Sequence, residues 1–203
     1  MKVERDLKRL TRGTQQRSSE VARSFIERAT DEGLVDVAVA TMDSPVGELL
    51  VAVTHSGLAR VAFEDEERDR VFARLARELS PRILQAARPT DRVRTELEEY
   101  FAGERSRFDL RLDRRLIGPF ARDVLRATGR VGFGRTATYG QIAAKIGRPT
   151  APRAVGRALG SNPIPIVIPC HRIIGASGGL TGYGGGLPRK RTLLTLEGVL
   201  LPE

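Results

Sequence analysis

The stretch SNPIPIVIPCHR, residues 161–172, constrains the fold more than any other part of this chain. Its three prolines hold the backbone extended and exclude a helix, because proline fixes φ and disfavours the α region at the residue before it. The stretch ends in a thiol, an imidazole and a guanidinium on Cys170, His171 and Arg172. An apolar extended segment that ends in three such groups predicts a reactive site.

Cys170 is the only cysteine, so the chain forms no internal disulfide and no cysteine-based zinc cluster. A lone cysteine is commonly a small buried hydrophobe. A nucleophilic cysteine reacts as the thiolate, and a neighbouring histidine and cation lower the pKa of a thiol. His171 and Arg172 therefore predict a nucleophile of lowered pKa. Successive side chains of an extended strand point to opposite faces, so adjacency in the chain does not establish contact between Cys170 and His171, although a water molecule could still link them.

A catalytic imidazole needs a third group that orients it. Residues 118–203 contain three acids, Asp123, Glu197 and Glu203. Glu197 lies near the end of an apolar helix, where a carboxylate is poorly placed for the helix dipole. We therefore predict that Glu197 orients His171; the alternative is a solvated glutamate at a helix end.

The charge of the chain is divided unevenly. Residues 1–117 carry 22 Lys and Arg against 22 Asp and Glu, whereas residues 118–203 carry 12 against 3, so the net charge of +9 falls entirely in the second part. This asymmetry predicts that the second part of the chain binds a polyanion. The alternative is that the excess charge serves only solubility. No apolar run approaches the roughly 20 residues of a membrane span, and the charged N-terminus lacks the apolar stretch of a signal peptide, so we expect a cytoplasmic protein.

The first part of the chain predicts a small α+β domain. Valine-rich segments joined by tight turns predict an antiparallel meander, two amphipathic segments predict helices, and an alternating segment would return to the sheet edge. The predicted strands are 35–41, 48–54 and 58–63, the helices are 67–79 and 91–102, and the alternating segment is 107–112. Residues 1–33 form an extension with a predicted helix at 19–30.

The second part predicts a mostly helical domain. The predicted helices are 120–127, 139–146, 151–160 and a last helix that Pro188 opens and Gly198 ends, with a glycine-rich loop at 174–187. The helices at 139–146 and 151–160 form a helix-turn-helix pattern. The second of them carries Arg153 and Arg157 on one face, and its alanines and glycines leave it thin enough for close approach to another surface.

The segment Ile168–Ile174, IPCHRII, resembles the active-site signature of the O6-alkylguanine-DNA alkyltransferases. Further matching segments occur in the same order: TYGQIA at 138–143, RAVG at 153–156, SNP at 161–163, GYGGGL at 182–187 and the helix end near Glu197. The resemblance covers 118–198 and, more loosely, 36–113. It implies an α+β N-terminal domain with a small antiparallel, ribonuclease-H-like sheet, and then a mostly α-helical domain with a winged helix-turn-helix-like motif. The chain would divide into 1–33, 34–116 and 117–203.

The resemblance implies a role for each matching residue. Cys170 would accept the alkyl group, His171 would act as its base through a water, and Glu197 would hold the imidazole. Asn162 would brace the active-site turn, and Tyr139 would protonate N3 of the leaving guanine.

The resemblance also implies contacts to the base and to DNA. The carbonyls of Cys170 and Ile173 and the N–H of Gly184 would read the guanine, and Tyr183 would wall the pocket. Arg153 would fill the gap left by a flipped base. The remaining implied DNA contacts in the minor groove are Ala154, Gly156 and Arg157.

The function that follows is DNA repair by direct reversal. A methyl or larger alkyl group would pass irreversibly, once per molecule, from O6-alkylguanine in double-stranded DNA to Cys170, with O4-alkylthymine as a further candidate substrate. A thiol cannot reach O6 in a stacked duplex, so the base must be flipped out. We expect a monomer that needs no cofactor and no metal.

Three other functions compete. A non-catalytic sensor of alkylated DNA would lack the reactive cysteine, which Cys170 argues against. A transcription regulator would need a helix rich in base-reading side chains, and 151–160 offers mostly alanine and glycine. A cysteine hydrolase is the third. The chain also departs from the family pattern, with Ala121, Leu125 and Gly132 at three packing positions and Gly184 where a hydroxyl is common.

Overall fold

The computed structural model describes residues 21, 24–26 and 28–199 of the chain. Residues 21, 24–26 and 28–31 are helical, in agreement with the prediction for this part of the 19–30 segment. The other residues of that segment and residues 1–18 lie outside the described residues.

A four-stranded sheet organises the first part of the chain. Its strands are β1 (Val37–Met42), β2 (Leu49–Thr54), β3 (Gly57–Phe63) and β4 (Ile83–Gln85), in the order β3-β2-β1-β4. The antiparallel meander of β1, β2 and β3 is confirmed. The tight turn before β2 depends on Gly47, whose φ of 94° is strained for any residue with a Cβ.

The predicted small antiparallel sheet is antiparallel over β1, β2 and β3, but β4 pairs parallel with β1 and makes the whole sheet mixed. Helix α1 (Arg68–Glu78) carries the chain from β3 to the far edge of the sheet. Three residues are too few to show a period, so the sequence does not reveal β4. The segment 107–112 reaches the other edge only through an isolated parallel bridge between Leu58 and Leu112.

Both faces of the sheet are buried. On one face, Val71 and Leu75 of α1 pack against alternate strand residues such as Leu50 and Ala52. On the other face, α2 (Asp91–Phe101) packs against the intervening residues. The alternation in β2 therefore divides its side chains between two apolar layers.

The second part of the chain is mostly helical. Its elements are α3 (Pro119–Thr128), β5 (Ala137–Thr138), α4 (Tyr139–Lys145), α5 (Pro152–Gly160), a 3-10 turn (Cys170–Arg172), β6 (Ile173–Ile174) and α6 (Leu187–Leu196). Thr138 and Gln141 form a reciprocal capping box that begins α4. Gly147, at φ 72°, ends this helix, and α5 follows to complete the predicted helix-turn-helix.

One apolar core joins the two parts, because Val51 and Leu97 of the first part belong to the same buried cluster as Ile142 and Ile164 of the second. This shared core fixes the position of the segment 161–172 against the sheet and α2. Across residues 21, 24–26 and 28–199, no helix is long and apolar enough to cross a membrane.

Candidate active site

Asn162 holds the proline-rich segment in its observed shape. Its side-chain amide donates hydrogen bonds to the carbonyl of Ile168 at 3.0 Å and to the sulfur of Cys170 at 3.1 Å. Its Oδ1 accepts from the backbone N–H of Ile164 at 3.0 Å. Ile166, between these contacts, has a left-handed φ of 71°, a conformation that costs a branched residue on the order of 1–3 kcal/mol and persists only when its surroundings enforce it.

Glu197 is the centre of a buried polar cluster. Its Oε1 lies 2.8 Å from Nε2 of His171. Arg172 donates to both carboxylate oxygens, at 2.8 Å each. The hydroxyl of Tyr100 donates to Oε1 at 2.8 Å, and the N–H of Gly134 donates to Oε2 at 3.2 Å. The structure therefore brings the predicted pair of His171 and Glu197 into contact.

The ionisation of this cluster follows from its contacts. Burial opposes ionisation of Glu197, but hydrogen bonds from His171 and Arg172 outweigh it and lower the pKa of Glu197 to about 2. Burial lowers the pKa of His171, which keeps the imidazole neutral. Because the ionised carboxylate can only accept, Nε2 of His171 carries the hydrogen and Nδ1 keeps its lone pair. No described residue bonds Nδ1, so this atom is available to accept a proton.

The thiol of Cys170 differs from the sequence prediction. Burial is the largest influence on its pKa and raises it, while the hydrogen bond from Asn162 and the charge of Lys190 oppose that rise. The prediction of a lowered pKa is wrong for this state, because chain adjacency to His171 and Arg172 does not bring their ring and guanidinium to the sulfur; both bond Glu197 instead. The resting protein therefore holds Cys170 as the neutral thiol.

Cys170 lines a cavity of about 210 Å³. The predicted residues Asn162, Tyr183 and Gly184 line it as well, and Phe63 of β3 closes it from the first part of the chain. The rings of Phe63 and Tyr183 meet edge to face with centroids 6.2 Å apart. The Tyr183 hydroxyl is buried and has no hydrogen-bond partner among the described residues.

Lys190 is a site residue that the sequence reasoning missed. Its side chain is buried, and Nζ donates to the carbonyl of Ile173 at 2.5 Å and to the carbonyl of Thr181 at 2.9 Å. Burial lowers the pKa of Lys190 to about 8. Tyr100 was missed as well, and Arg172 was predicted to act on the thiol, whereas its guanidinium bonds Glu197. A lysine in a helix is usually solvated, and the only signal for burial of Lys190 is its place on the helix among leucines. Tyr100 lies far from Glu197 in the chain, so the sequence does not indicate their contact.

Tyr139 lies outside the wall of this cavity, on the side of the helix-turn-helix. Its hydroxyl donates to the carbonyl of Gly182 at 3.1 Å and lies 3.3 Å from the hydroxyl of Thr181. Its ring packs over Gly156 of α5, where an added Cβ would lie 3.6 Å away. Tyr139 therefore connects the helix-turn-helix to the glycine-rich loop.

The remaining predicted residues occupy two regions. Ile173 is buried in β6, with its carbonyl bonded to Lys190. Arg153 and Arg157 of α5 are exposed, and Ala154 is half-buried beside them. The helix α5 thus exposes two cationic side chains on a face whose other side chains are small and project little from the backbone.

Fold and site together define a protein with a free cysteine on a cavity beside a helix-turn-helix. Residues 119–199 match the family described as 6-O-methylguanine DNA methyltransferase, DNA binding domain. Residues 37–114 match the family described as 6-O-methylguanine DNA methyltransferase, ribonuclease-like domain. The chain belongs to the methylated-DNA–protein-cysteine methyltransferase family. The ribonuclease-like domain and the DNA-binding domain that follows it agree with the predicted fold class.

Relatives of the same family match most of the chain. A methylated-DNA–protein-cysteine methyltransferase of Mycolicibacterium paratuberculosis is 47% identical over 157 residues, which cover 77% of this chain and 90% of the relative. One from Methanosarcina acetivorans is 42% identical over 159 residues, covering 78% of this chain and 97% of the relative. The crystal structure of Mycobacterium tuberculosis OGT in complex with DNA superposes with a TM-score of 0.68 at 42% identity, covering 79% of this chain and 92% of that one.

Proposed function

We propose that this chain repairs DNA by transferring a methyl or larger alkyl group from O6-alkylguanine in double-stranded DNA to Cys170, irreversibly and once per molecule. One observation carries the proposal: the sulfur of Cys170 lines a cavity and accepts a hydrogen bond from Asn162, and the next residue, His171, is paired with Glu197. Relatives named methylated-DNA–protein-cysteine methyltransferase support the proposal, and so does a similar protein whose crystal structure is a complex with DNA.

The first step is removal of the thiol proton. Nδ1 of His171 has a free lone pair, and the lowered pKa of His171 keeps that ring neutral until it accepts a proton. A water between the sulfur and Nδ1 carries the proton across. Glu197, ionised because of its pKa of about 2, stabilises the imidazolium that forms.

The second step is displacement at the alkyl carbon. The sulfur of Cys170 forms a bond to that carbon as the bond from carbon to O6 breaks, and the electron pair of the broken bond goes to the guanine. Tyr139 protonates N3 and so neutralises the leaving base. Because a thioether has no ready leaving path, the alkylated protein is spent.

The guanine is held by backbone groups of the site. The carbonyls of Cys170 and Ile173 accept from its exocyclic amine, the N–H of Gly184 faces O6, and Tyr183 walls the ring. The carbonyl of Ile173 already accepts from Lys190, and its second lone pair serves the base.

DNA is bound through α5 in the minor groove. Ala154 and Gly156 keep the approach close, Arg157 contacts phosphate, and Arg153 fills the space of the flipped base. The basic part of the chain supplies further phosphate contacts, so affinity falls steeply with salt.

The organisation of the protein is part of the same proposal. The divisions 1–33, 34–116 and 117–203 are supported by the family matches at 37–114 and 119–199. We propose a monomer in the cytoplasm that uses no cofactor or metal. Gel filtration tests the oligomeric state, and cell fractionation tests the location.

Mass spectrometry of the protein after incubation with a duplex containing O6-methylguanine tests the transfer. The peptide with Cys170 gains one methyl in place of a hydrogen, and product formation stops at one equivalent. Cys170→Ala serves as the control: it gains nothing yet still binds DNA.

Other outcomes separate the alternatives. Unmodified wild-type protein that still binds the lesion would indicate a sensor instead of a transferase. Sustained turnover would reject the single-use mechanism and favour a hydrolase.

A further inference from the structure

A second, larger cavity lies on the other side of the segment that carries Cys170. Its volume is about 730 Å³, and its walls come from residues 106–117, from α3 and from residues 129–133. Pro169 lines this cavity, whereas Cys170 lines the smaller one. We name this larger cavity the arginine cleft.

The charge of the arginine cleft is entirely positive. Its lining contains no acidic residue within the described part of the chain, and its arginines are Arg107, Arg114, Arg122, Arg126, Arg130 and Arg172. Arg172 is occupied, because it donates to Glu197 and, at 2.6 Å, to the carbonyl of Val131. Arg126 pairs with Asp123 at 3.1 Å.

Arg122 forms no ion pair with the described residues, but its side chain donates to the carbonyl of Ile117 at 3.3 Å. Arg107, Arg114 and Arg130 are exposed, and none of these three forms an ion pair or donates a side-chain hydrogen bond to residues 21, 24–26 or 28–199. Elsewhere on the surface arginines are commonly paired, as on α1, where Arg70 lies 2.7 Å from Glu67. Like charges gathered around a concavity without counter-charges raise the local potential and attract anions.

The floor of the arginine cleft is apolar. Phe108 and Phe133 are half-buried in it, with Leu110 and Val167 beside them. Aromatic and aliphatic side chains of this kind accept the face of a nucleobase, and arginine binds phosphate through paired N–H donors.

We propose that the arginine cleft binds a free nucleoside triphosphate, with the phosphates on Arg107, Arg114 and Arg130 and the base on the apolar floor. The volume lies in the range of small-molecule sites, about 300–1,000 Å³, so the cleft suits a single nucleotide better than a nucleic-acid strand. This site is separate from Cys170 and from α5, so it goes beyond the proposed repair reaction.

Titration calorimetry of the full chain with ATP tests the proposal, with inorganic tripolyphosphate as a second titrant. We expect ATP to bind at least about tenfold more tightly than tripolyphosphate, since only ATP has a base for the floor. The triple variant R107Q/R114Q/R130Q loses at least about tenfold in affinity for ATP. The matched control R68Q/R70Q/R77Q removes the same charge from α1, and its affinity stays within about twofold of wild type.

Each contrary result overturns the assignment. No measurable binding of ATP removes the site. Equal affinities for ATP and tripolyphosphate would show that the site does not recognise the base. Equal losses of ATP affinity in the two triple variants would show that net charge alone attracts the anion. Displacement of ATP by saturating unmodified duplex DNA places the nucleotide on the DNA-binding surface instead. Thermal unfolding of both variants near the wild-type temperature establishes that they are folded.

Discussion

The two walls around Cys170 are built in opposite ways. The wall at 161–173 contains three prolines, is almost wholly buried, and has its polar side chains bonded through Asn162 and Glu197. The wall at 175–186 contains seven glycines and is mostly exposed or half-buried. The comparison teaches that the sulfur of Cys170 is held by buried, directional bonds, while the wall opposite it is left adaptable.

Lys190 joins the two walls. It donates to the carbonyl of Ile173 on the buried wall and to the carbonyl of Thr181 on the glycine-rich wall. A single buried ammonium therefore sets the distance between the fixed sulfur and the adaptable loop.

The largest loss of stability and of transfer rate is expected from Glu197→Gln on the buried wall. Gln keeps the shape but leaves the guanidinium of Arg172 buried without its counter-charge, which costs about 3–5 kcal/mol of unfolding free energy. The alkyl-transfer rate falls about 10²–10⁴-fold, because His171 loses the group that stabilises its protonated form. Urea unfolding and single-turnover kinetics measure the two effects.

The same variant changes the response to acid. The pKa of Glu197 is lowered from 4.5 to about 2, so its contribution to stability is complete above pH 4.5 and is lost as the pH falls towards 2. The Gln variant lacks this loss. Glu78→Gln, at an exposed pair with Arg74, is the control and costs less than about 1 kcal/mol. Equal effects at the two positions would show that the cluster around Glu197 has no special weight.

The next effect is expected from Lys190→Met, which cuts the link between the walls. The buried carbonyl of Ile173 and the part-buried carbonyl of Thr181 lose their donor, at a cost of about 1–3 kcal/mol. Because burial lowers the pKa of Lys190 from 10.5 to about 8, the unfolded chain binds more protons between these values, and the stability of the wild type rises through that interval. The difference between wild type and variant isolates this rise, and amide exchange reports faster opening of 175–186. Unchanged exchange in the loop would mean that Lys190 does not connect the walls.

The last effect is expected within the glycine-rich wall, and its cost in stability is no larger than that of Lys190→Met. An alanine Cβ at Gly185 would lie 2.5 Å from the ring of Phe63 and 2.9 Å from that of Tyr183, so Gly185→Ala crowds the cavity and costs about 1–3 kcal/mol. Gly178→Ala is the matched control: its φ of 83° costs about 1 kcal/mol, but the space around it is open. Transfer slows in the first variant only. If both variants transferred at the wild-type rate, the loop would not shape the substrate cavity.

Local signals in the sequence determined most of the elements. The prolines of 161–172 exclude an α-helix, although the segment folds into turns and not into the extended chain that we predicted. Amphipathic spacing predicts α1 and α2, and the valine alternation predicts β1 to β3. These are interactions between residues close in the chain, so pattern alone reveals them. The motif around Cys170 likewise indicated the family and most members of the candidate site.

Tertiary structure alone decided the electrostatics of that site. Tyr100 reaches Glu197 only because α2 packs against the second part of the chain, and Lys190 is buried only because the glycine-rich loop folds over it. The pKa of Cys170 is raised, contrary to the prediction from its neighbours, since desolvation depends on what surrounds a group in space. Burial is a property of the packed molecule, and adjacency in the chain does not determine it.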